Sequence, residues 1–402
     1  MRILFHTLIS IIVIALLHLT KIFLSKSAAS YFFLFNLLSC AQFFALFVCI
    51  VTILIYLFVG NQKKGIAVLG LLTTLGALIV LELTCTQLLN HPDRISKNLR
   101  KYFQAYYLQY DMGIFQFEPQ CADYDPALFY SMKKNSRFVF SNREYGDSFY
   151  TNRQGFRDRR DDVRADVVCI GDSFTMGYGV EQDSTFSAQL ERLSTLRVLN
   201  AGMSSYGTAR ESLTFSKIDL SEAKLVIWQY CDNDAPENKA FLENNFKYSP
   251  SSETTFSYYR RQNYWQKKYF PFKHFLTIIK MAASTVLKRA TPAFANNTVD
   301  VEKDARNFLR IVKAATADRP GIKIIVTELG FYRPKSQFLA SINDCLKTAE
   351  FAALAHQVNV VDVFPCLEAA NFYELDMHIK PAGQKAIATC LAKVVERLIN
   401  HQ

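Results

Sequence analysis

The sequence lacks the cysteine spacing that a metal site would need. Its nine cysteines include neither a Cys-x-x-Cys pair nor a zinc-like spacing, so we expect no bound metal and no other cofactor. Internal repeats and low-complexity tracts are also missing. The spacing of the cysteines leaves open whether Cys121, Cys345, Cys366 or Cys390 form disulfides.

Charged residues are almost absent from three long stretches near the N-terminus. These apolar runs occupy residues 3–24, 31–59 and 66–89. Each is long enough to cross a hydrocarbon core of roughly 30 Å as a helix, and only Lys21 and Glu82 place a charge inside them. A cleaved signal peptide is the alternative for the first run, but the apolar region of such a peptide is usually shorter and no clear small-x-small site follows. We therefore predict that residues 1–90 form a membrane anchor of three transmembrane helices.

The basic residues identify neither the orientation of this anchor nor a partner. Arg2, Lys63 and Lys64 favour a cytoplasmic N-terminus. Lys26 and a cluster from Arg94 to Lys101 favour the opposite. The net charge of +10 fits a membrane protein that faces anionic headgroups or acidic glycans. We predict a multi-pass protein of the inner membrane and expect no binding of nucleic acid.

Apolar β-branched runs alternate with amphipathic stretches from Asp166 onward, as in a parallel sheet covered by helices on both faces. Predicted strands are 166–170, 197–200, 224–230, 323–327 and 359–363; predicted helices lie near 183–193, 208–218, 301–317, 336–357 and 381–399. The pattern indicates an α/β domain with a doubly wound parallel sheet over residues 161–402. Residues 91–160 form a linker and lead-in segment rich in Tyr and Phe.

An insertion at about 236–300 interrupts this alternation. Between Phe256 and Lys280 it has no acidic residue, and its lysines and arginines are interleaved with Tyr, Phe and Trp. This composition suits a membrane interface or an acidic ligand, and it equally suits a lid that is packed by its own aromatic side chains.

A serine directly follows the first predicted strand. In Gly171-Asp172-Ser173-Phe174-Thr175, Ser173 lies at a strand-to-helix turn, where ligands bind and where its N–H could stabilise an oxyanion. Thr175 replaces the second glycine of the G-x-S-x-G elbow, so the α/β-hydrolase elbow is excluded. An ordinary turn with an N-cap would also use Gly, Asp and Ser.

A nucleophilic serine needs a base, and the chain has only seven histidines. His378 follows the last predicted strand and precedes the final helix, so it should reach the same sheet edge as Ser173. Asp376, two residues earlier, could orient its imidazole. The alternative is a structural role, in which Asp376 caps a turn before Pro381.

Four short motifs resemble those of the SGNH/GDSL hydrolases over about residues 120–400. They are Gly171-Asp172-Ser173, Asn200–Gly207, Asp232-Asn233-Asp234 and Asp376-Met377-His378. The stretches Tyr124–Leu128 and Thr151–Asp158 resemble the lead-in of membrane-associated bacterial members that are linked to envelope polysaccharide or lipid modification. The resemblance implies a flavodoxin-like SGNH hydrolase fold.

The resemblance also implies roles for single residues. Ser173 would be the nucleophile, Asp376 and His378 the acid and base, and Asn233 a side-chain donor to the oxyanion. Ser205 stands where the family has a glycine that donates its backbone N–H, with Gly202 as the alternative donor. Cys231 replaces the leading glycine of the third motif.

The resulting expectation is a membrane-anchored serine esterase that hydrolyses a carbohydrate O-acetyl ester or a lipid ester, with its C-terminal domain periplasmic or otherwise outside the cytoplasm. One alternative is an O-acyltransferase that modifies an envelope polysaccharide or lipid together with other envelope-biosynthesis proteins. Another is a non-catalytic, membrane-tethered binding or assembly module.

Overall fold

The computed structural model describes residues 32–60, 63–161, 164–288, 300–330 and 337–400. These residues form two compact units. One contains the described part of Met1–Asp111 together with that of Lys267–Phe294, and the other contains the described parts of Met112–Gln266 and Ala295–Gln402. The chain therefore passes between the units three times.

The elements are numbered in chain order. The α-helices are α1 (Phe32–Phe58), α2 (Lys64–Asn90), α3 (Lys97–Tyr110), α4 (Ser173–Met176), α5 (Phe186–Leu193), α6 (Thr208–Phe215), α7 (Ala235–Glu243), α8 (Glu253–Lys267), α9 (Lys273–Lys288), α10 (Val301–Ala315), α11 (Gln337–Leu346), α12 (Ala352–Ala355) and α13 (Pro381–Asn400). The strands are β1 (Ala122–Asp125), β2 (Phe129–Met132), β3 (Ser136–Ser141), β4 (Gly146–Thr151), β5 (Val167–Ile170), β6 (Val198–Asn200), β7 (Leu225–Tyr230), β8 (Lys323–Glu328) and β9 (Val358–Val360).

Two helices of the first unit are long and apolar enough to cross a membrane. They are α1, through its segment Leu37–Leu57, and α2. They coincide with the second and third predicted spans. The first predicted span, residues 3–24, lies outside the described residues.

Helix α9, from the predicted insertion, packs against α2 and α3 in this unit. The buried carboxylate of Glu82 on α2 accepts the backbone N–H groups of His274 (3.2 Å) and Phe275 (2.8 Å) at the start of α9. Lys273 forms a buried ion pair with Asp111, at 3.7 Å between Nζ and Oδ1. These contacts explain why the insertion is divided between the two units, which the sequence pattern did not indicate.

The second unit contains the predicted five-stranded parallel sheet, in the order β6-β5-β7-β8-β9. Counted from β5, this is the strand order 2-1-3-4-5 of flavodoxin-like folds. The α/β class and the doubly wound sheet are therefore confirmed. The carboxyl ends of β5, β6 and β7 lie side by side at one edge of the sheet.

Of the predicted elements that end differently in the structure, two have a clear local cause. The helix predicted over 336–357 is α11 followed by the short α12, because residues after Leu346 turn and form a 3-10 turn at Ala349–Phe351. The last strand ends at Val360 rather than at residue 363, because Asp362 Oδ1 accepts the Phe364 N–H and begins a turn.

Alternation along the strands creates a hydrophobic core on each face of the sheet. On one face, Ile170 and Trp228 pack with Phe308 of α10. On the other, Cys169 and Ile227 belong to a core that includes side chains of α5 and α13. Helices therefore cover both faces, as predicted for a doubly wound sheet.

The lead-in segment forms two antiparallel hairpins, β1–β2 and β3–β4. The richness of this segment in aromatic residues reflects a buried cluster of rings. Phe115, Phe140 and Phe149 are buried and pack edge-on or tilted, with ring centroids 5.2–6.5 Å apart. These rings belong to the same core as one face of the parallel sheet.

Candidate active site

The turn after β5 holds Ser173 in a closely packed environment. A side chain at Gly171 would place its Cβ 2.4 Å from both Gln229 Oε1 and Thr175 Oγ1, so the position requires glycine. Asp172 is the N-cap of α4, since its Oδ1 accepts the Phe174 N–H at 2.9 Å. Asp172 thus braces the turn while Ser173 begins the helix.

The second part of the site is the loop before α13. Asp376 is buried, His378 is half-buried, and Met377 between them has a φ of +66°. This left-handed conformation costs a residue with a side chain about 1–2 kcal/mol. The loop closes on itself through a hydrogen bond of 2.9 Å from Tyr373 N to the His378 carbonyl.

The structure brings the three predicted residues into one hydrogen-bonded chain. His378 Nε2 lies 2.8 Å from Ser173 Oγ, and His378 Nδ1 contacts Asp376 Oδ1 in a short hydrogen bond. The imidazole stacks on Tyr178, with centroids 4.4 Å apart and an interplanar angle of 22°, and lies 4.8 Å from the Phe174 ring. These rings restrict the orientation of the imidazole between its two partners.

Asp376 receives further contacts from the turn between β3 and β4. Tyr145 donates its hydroxyl to Asp376 Oδ2 at 2.7 Å. The Glu144 carboxylate accepts the backbone N–H groups of Glu374 (2.8 Å), Leu375 (2.8 Å) and Asp376 (2.9 Å). Burial raises the pKa of Glu144 above its usual range, and these three N–H donors oppose that shift.

The two backbone N–H groups predicted as oxyanion donors, those of Ser205 and Gly202, differ in whether they already have an acceptor. Ser205, in the loop after β6, has a φ of +59°. This left-handed backbone conformation is one that glycine adopts readily, and glycine is the residue that the SGNH/GDSL hydrolases have at this position. Within the described chain, its backbone N–H has no hydrogen-bond partner. The Gly202 N–H is donated to Asn200 Oδ1 at 3.0 Å, which argues against Gly202 as the donor.

Asn233 lies in a 3-10 turn at Asp232–Asp234, directly after β7. Its side chain is exposed, and none of the described residues is hydrogen-bonded to its amide. Asp234 is instead buried and accepts the Thr208 hydroxyl at 3.1 Å. The Asn233 side chain is therefore accessible to a ligand.

Buried acids lie beneath the serine turn. Burial raises the pKa of Asp172 to about 6, against the opposing effect of the Phe174 N–H and of His378. Burial also raises the pKa values of Asp234 and Glu211 well above their usual range. Among the described residues, no three His, Cys, Asp or Glu side chains form a group that could hold a metal.

Three residues of the lead-in segment support the site and were not identified from the sequence: Glu144, Tyr145 and Arg157. Arg157 is buried and donates to the carbonyls of Met176 (2.9 Å) and Gly177 (2.6 Å), just after Ser173. Burial lowers its pKa to about 9. The resemblance of Thr151–Asp158 to the family's lead-in was the one signal that could have pointed to Arg157.

Similarity to known proteins is found among solved structures. No protein-family model matches the chain, and no curated protein matches its sequence. Solved structures that resemble it include a protein from Desulfitobacterium hafniense DCB-2, described as lipolytic and of the G-D-S-L family. That structure has 16% identity and a TM-score of 0.33, and the match covers 58% of this chain and 99% of that one.

Two carbohydrate esterases are also similar. A family 3 enzyme from Clostridium thermocellum has 15% identity and a TM-score of 0.35, with 59% of this chain and 98% of that one covered. A family 2 enzyme of Corynascus thermopiles (Myceliophthora fergusii) has 12% identity and a TM-score of 0.35, with 58% and 66% covered. All three structures have TM-scores of 0.33–0.35 against this chain.

Proposed function

We propose that this protein is a membrane-anchored serine esterase. The observation that carries the proposal is the hydrogen-bonded chain from Ser173 through His378 to Asp376. A serine, a histidine and a buried carboxylate in this order are the parts that nucleophilic catalysis of acyl transfer needs. Their position at the carboxyl edge of a parallel sheet is where ligands bind in such folds.

The geometry supports a two-step reaction. Ser173 Oγ attacks the ester carbonyl carbon while its proton passes to His378 Nε2, and Asp376 stabilises the imidazolium. His378 then protonates the leaving alcohol, which leaves an acyl group on Ser173. Water, deprotonated by His378, releases the acid and restores the serine.

The negative charge on the carbonyl oxygen needs donors in both steps. The N–H groups of Ser173 and Ser205 and the Asn233 amide are the candidates, since all three follow neighbouring strands of one sheet edge. Donors that are already in position stabilise an oxyanion without reorganisation, and loss of one typically costs about 10²–10³ in kcat. The Asn233 side chain is exposed. Its amide N–H would donate a hydrogen bond to the oxyanion and would remain unchanged through the reaction.

The substrate class and location are part of the proposal. We expect a carbohydrate O-acetyl ester or a lipid ester, because the lead-in stretches resemble those of members linked to envelope polysaccharide or lipid modification. The two long apolar helices would hold the domain at a membrane, where such substrates occur. The Cys366–Cys390 disulfide supports a location outside the cytoplasm, since disulfides persist in oxidising compartments.

The first test is hydrolysis of p-nitrophenyl esters, from acetyl to long-chain, by the full-length protein in detergent. Ser173→Ala and His378→Ala should each lower kcat by at least about 10³-fold. Asn233→Ala should lower it by about 10²-fold. Ser205→Gly is the matched control, because it keeps the backbone N–H and should keep activity within about threefold.

The products decide between the remaining functions. Activity that depends on Ser173 and needs an added sugar alcohol as acyl acceptor would make the protein an O-acyltransferase. Ligand binding that survives Ser173→Ala, without turnover at any chain length in the wild type, would make it a binding module and end the esterase proposal.

A further inference from the structure

The turn between β3 and β4 reaches the loop that carries Asp376. Both Glu144 oxygens are engaged there: Oε1 accepts the Glu374 N–H, and Oε2 accepts those of Leu375 and Asp376. Three successive N–H groups thus converge on one carboxylate. A charged acceptor makes such hydrogen bonds stronger than a neutral one would.

The backbone conformation of the loop that carries Asp376 is locally unfavourable. The φ of +66° at Met377 is unfavourable for a residue with a side chain, so the loop's own sequence does not favour its conformation. That conformation brings Asp376 and His378, two residues apart, into contact. A conformation that is locally unfavourable persists when surrounding contacts hold it.

The same turn also fixes the other oxygen of Asp376. Tyr145, next to Glu144, donates to Asp376 Oδ2, and Asn142 donates its amide to the Tyr145 hydroxyl at 2.9 Å. Asn142 further bonds the Gly113 carbonyl at 3.1 Å, and the Tyr178 hydroxyl bonds the same carbonyl at 2.9 Å. One turn of the lead-in segment therefore holds both the backbone and the side chain of Asp376.

We propose that Glu144 is a positioning residue for the Ser173–His378–Asp376 chain: by holding the backbone of residues 374–376, it aims the Asp376 carboxylate at His378. The inference rests on the proposed function. It goes further by making the lead-in hairpin a working part of the site rather than a linker. Glu144 itself touches no reacting atom.

The deciding variant is Glu144→Gln, tested in the full-length protein in detergent. Its amide NH₂ would face an N–H donor where the carboxylate offered an acceptor, so the loop should shift. A displacement of about 1 Å can cost about 10²-fold in rate. We expect kcat to fall by about 10–100-fold, with KM within about twofold, because the substrate is not contacted.

Glu181→Gln is the matched control. Glu181 is exposed, and its Oε1 accepts the Ser148 N–H of β4 in the same hairpin at 3.1 Å. It should leave kcat within about twofold. The folded fraction of each variant is measured by circular dichroism and the rates are corrected for it, so that partial unfolding is not mistaken for lost positioning. Equal rates for Glu144→Gln and Glu181→Gln would overturn the proposal.

Two readouts separate this inference from the esterase proposal. A fluorophosphonate probe reports the reactivity of Ser173 with no natural substrate, and ¹⁵N-histidine spectra report the low-field Nδ1–H proton of His378, assigned by its loss in His378→Asn. If the probe fails to label Ser173 of the wild type, the esterase proposal is refuted, and the positioning proposal then depends on the His378 resonance. A His378 resonance that is the same in wild type and Glu144→Gln would end the positioning proposal, whatever the labelling.

Discussion

Asp147 on β4 is a buried acid whose ionisation should lower the stability of the fold. Its side chain is 7% exposed, and Oδ2 has no partner in the described part of the chain. Burial raises its pKa to about 6, although Arg157 opposes the shift. A raised acid pKa means that the folded state holds the proton more tightly than the unfolded state, so stability falls as the pH rises from about 4 through 6.

Asp147→Asn should remove this loss, because an amide does not ionise. We expect the variant to gain up to about 3 kcal/mol over the wild type between pH 4 and pH 7.5, from a shift of roughly two pKa units. Urea unfolding of both proteins at the two pH values measures the gain. A difference between the proteins that does not change with pH would contradict the expectation.

The residues that the sequence revealed are those that follow strands. Ser173 and Asn233 each come directly after an apolar run, and parallel strands bring their carboxyl ends to one edge. Glu144 and Tyr145 could not be predicted in this way. Tyr145 and Asp376 are 231 positions apart, and no periodicity or motif encodes a contact between a hairpin turn and a distant loop.

At the scale of elements, α9 shows why an acid occurs inside an apolar helix. Glu82 is fully buried on α2, and it caps the start of α9 through the N–H groups of His274 and Phe275. Negative charge at a helix start is stabilising. Thr86, one turn along α2, bonds His274 Nδ1 at 2.8 Å. This part of the insertion therefore packs against the apolar helix α2 and belongs to the same unit.

Glu82→Ala should free the start of α9. Loss of a helix cap typically costs about 1 kcal/mol, so we expect faster trypsin cleavage at Lys267 and Lys268 in the detergent-solubilised protein. Thr84→Ala is the matched control, because Thr84 is exposed on α2 and bonds only the Val80 carbonyl among the described residues. Equal cleavage of the two variants would refute a capping role for Glu82.

For the whole molecule, the proposed membrane anchor implies that the larger unit lies on one defined side of a membrane. The basic residues around the apolar helices gave opposite answers, and large domains cross the membrane largely regardless of such charges. The structure adds the Cys366–Cys390 disulfide, with Cα atoms 6.6 Å apart. Thiols in the cytoplasm are kept reduced, so this bridge favours a location outside it.

An alkaline phosphatase fused after Gln402 should therefore be active, and a green fluorescent protein fused at the same position should be dark. Alkaline phosphatase needs an oxidising compartment, which makes the pair of reporters complementary. A bright fluorescent fusion together with an inactive phosphatase fusion would place the larger unit in the cytoplasm.

The same disulfide has a consequence for the order in which the protein matures. Cys366 and Cys390 are 24 positions apart, and the covalent ring that they close contains both Asp376 and His378. A newly made chain in a reducing compartment has no such ring, and the loop of Asp376 and His378 is held by non-covalent contacts alone. With the location proposed above, the loop of Asp376 and His378 would acquire its covalent tether only after export, so maturation would coincide with arrival outside the cytoplasm.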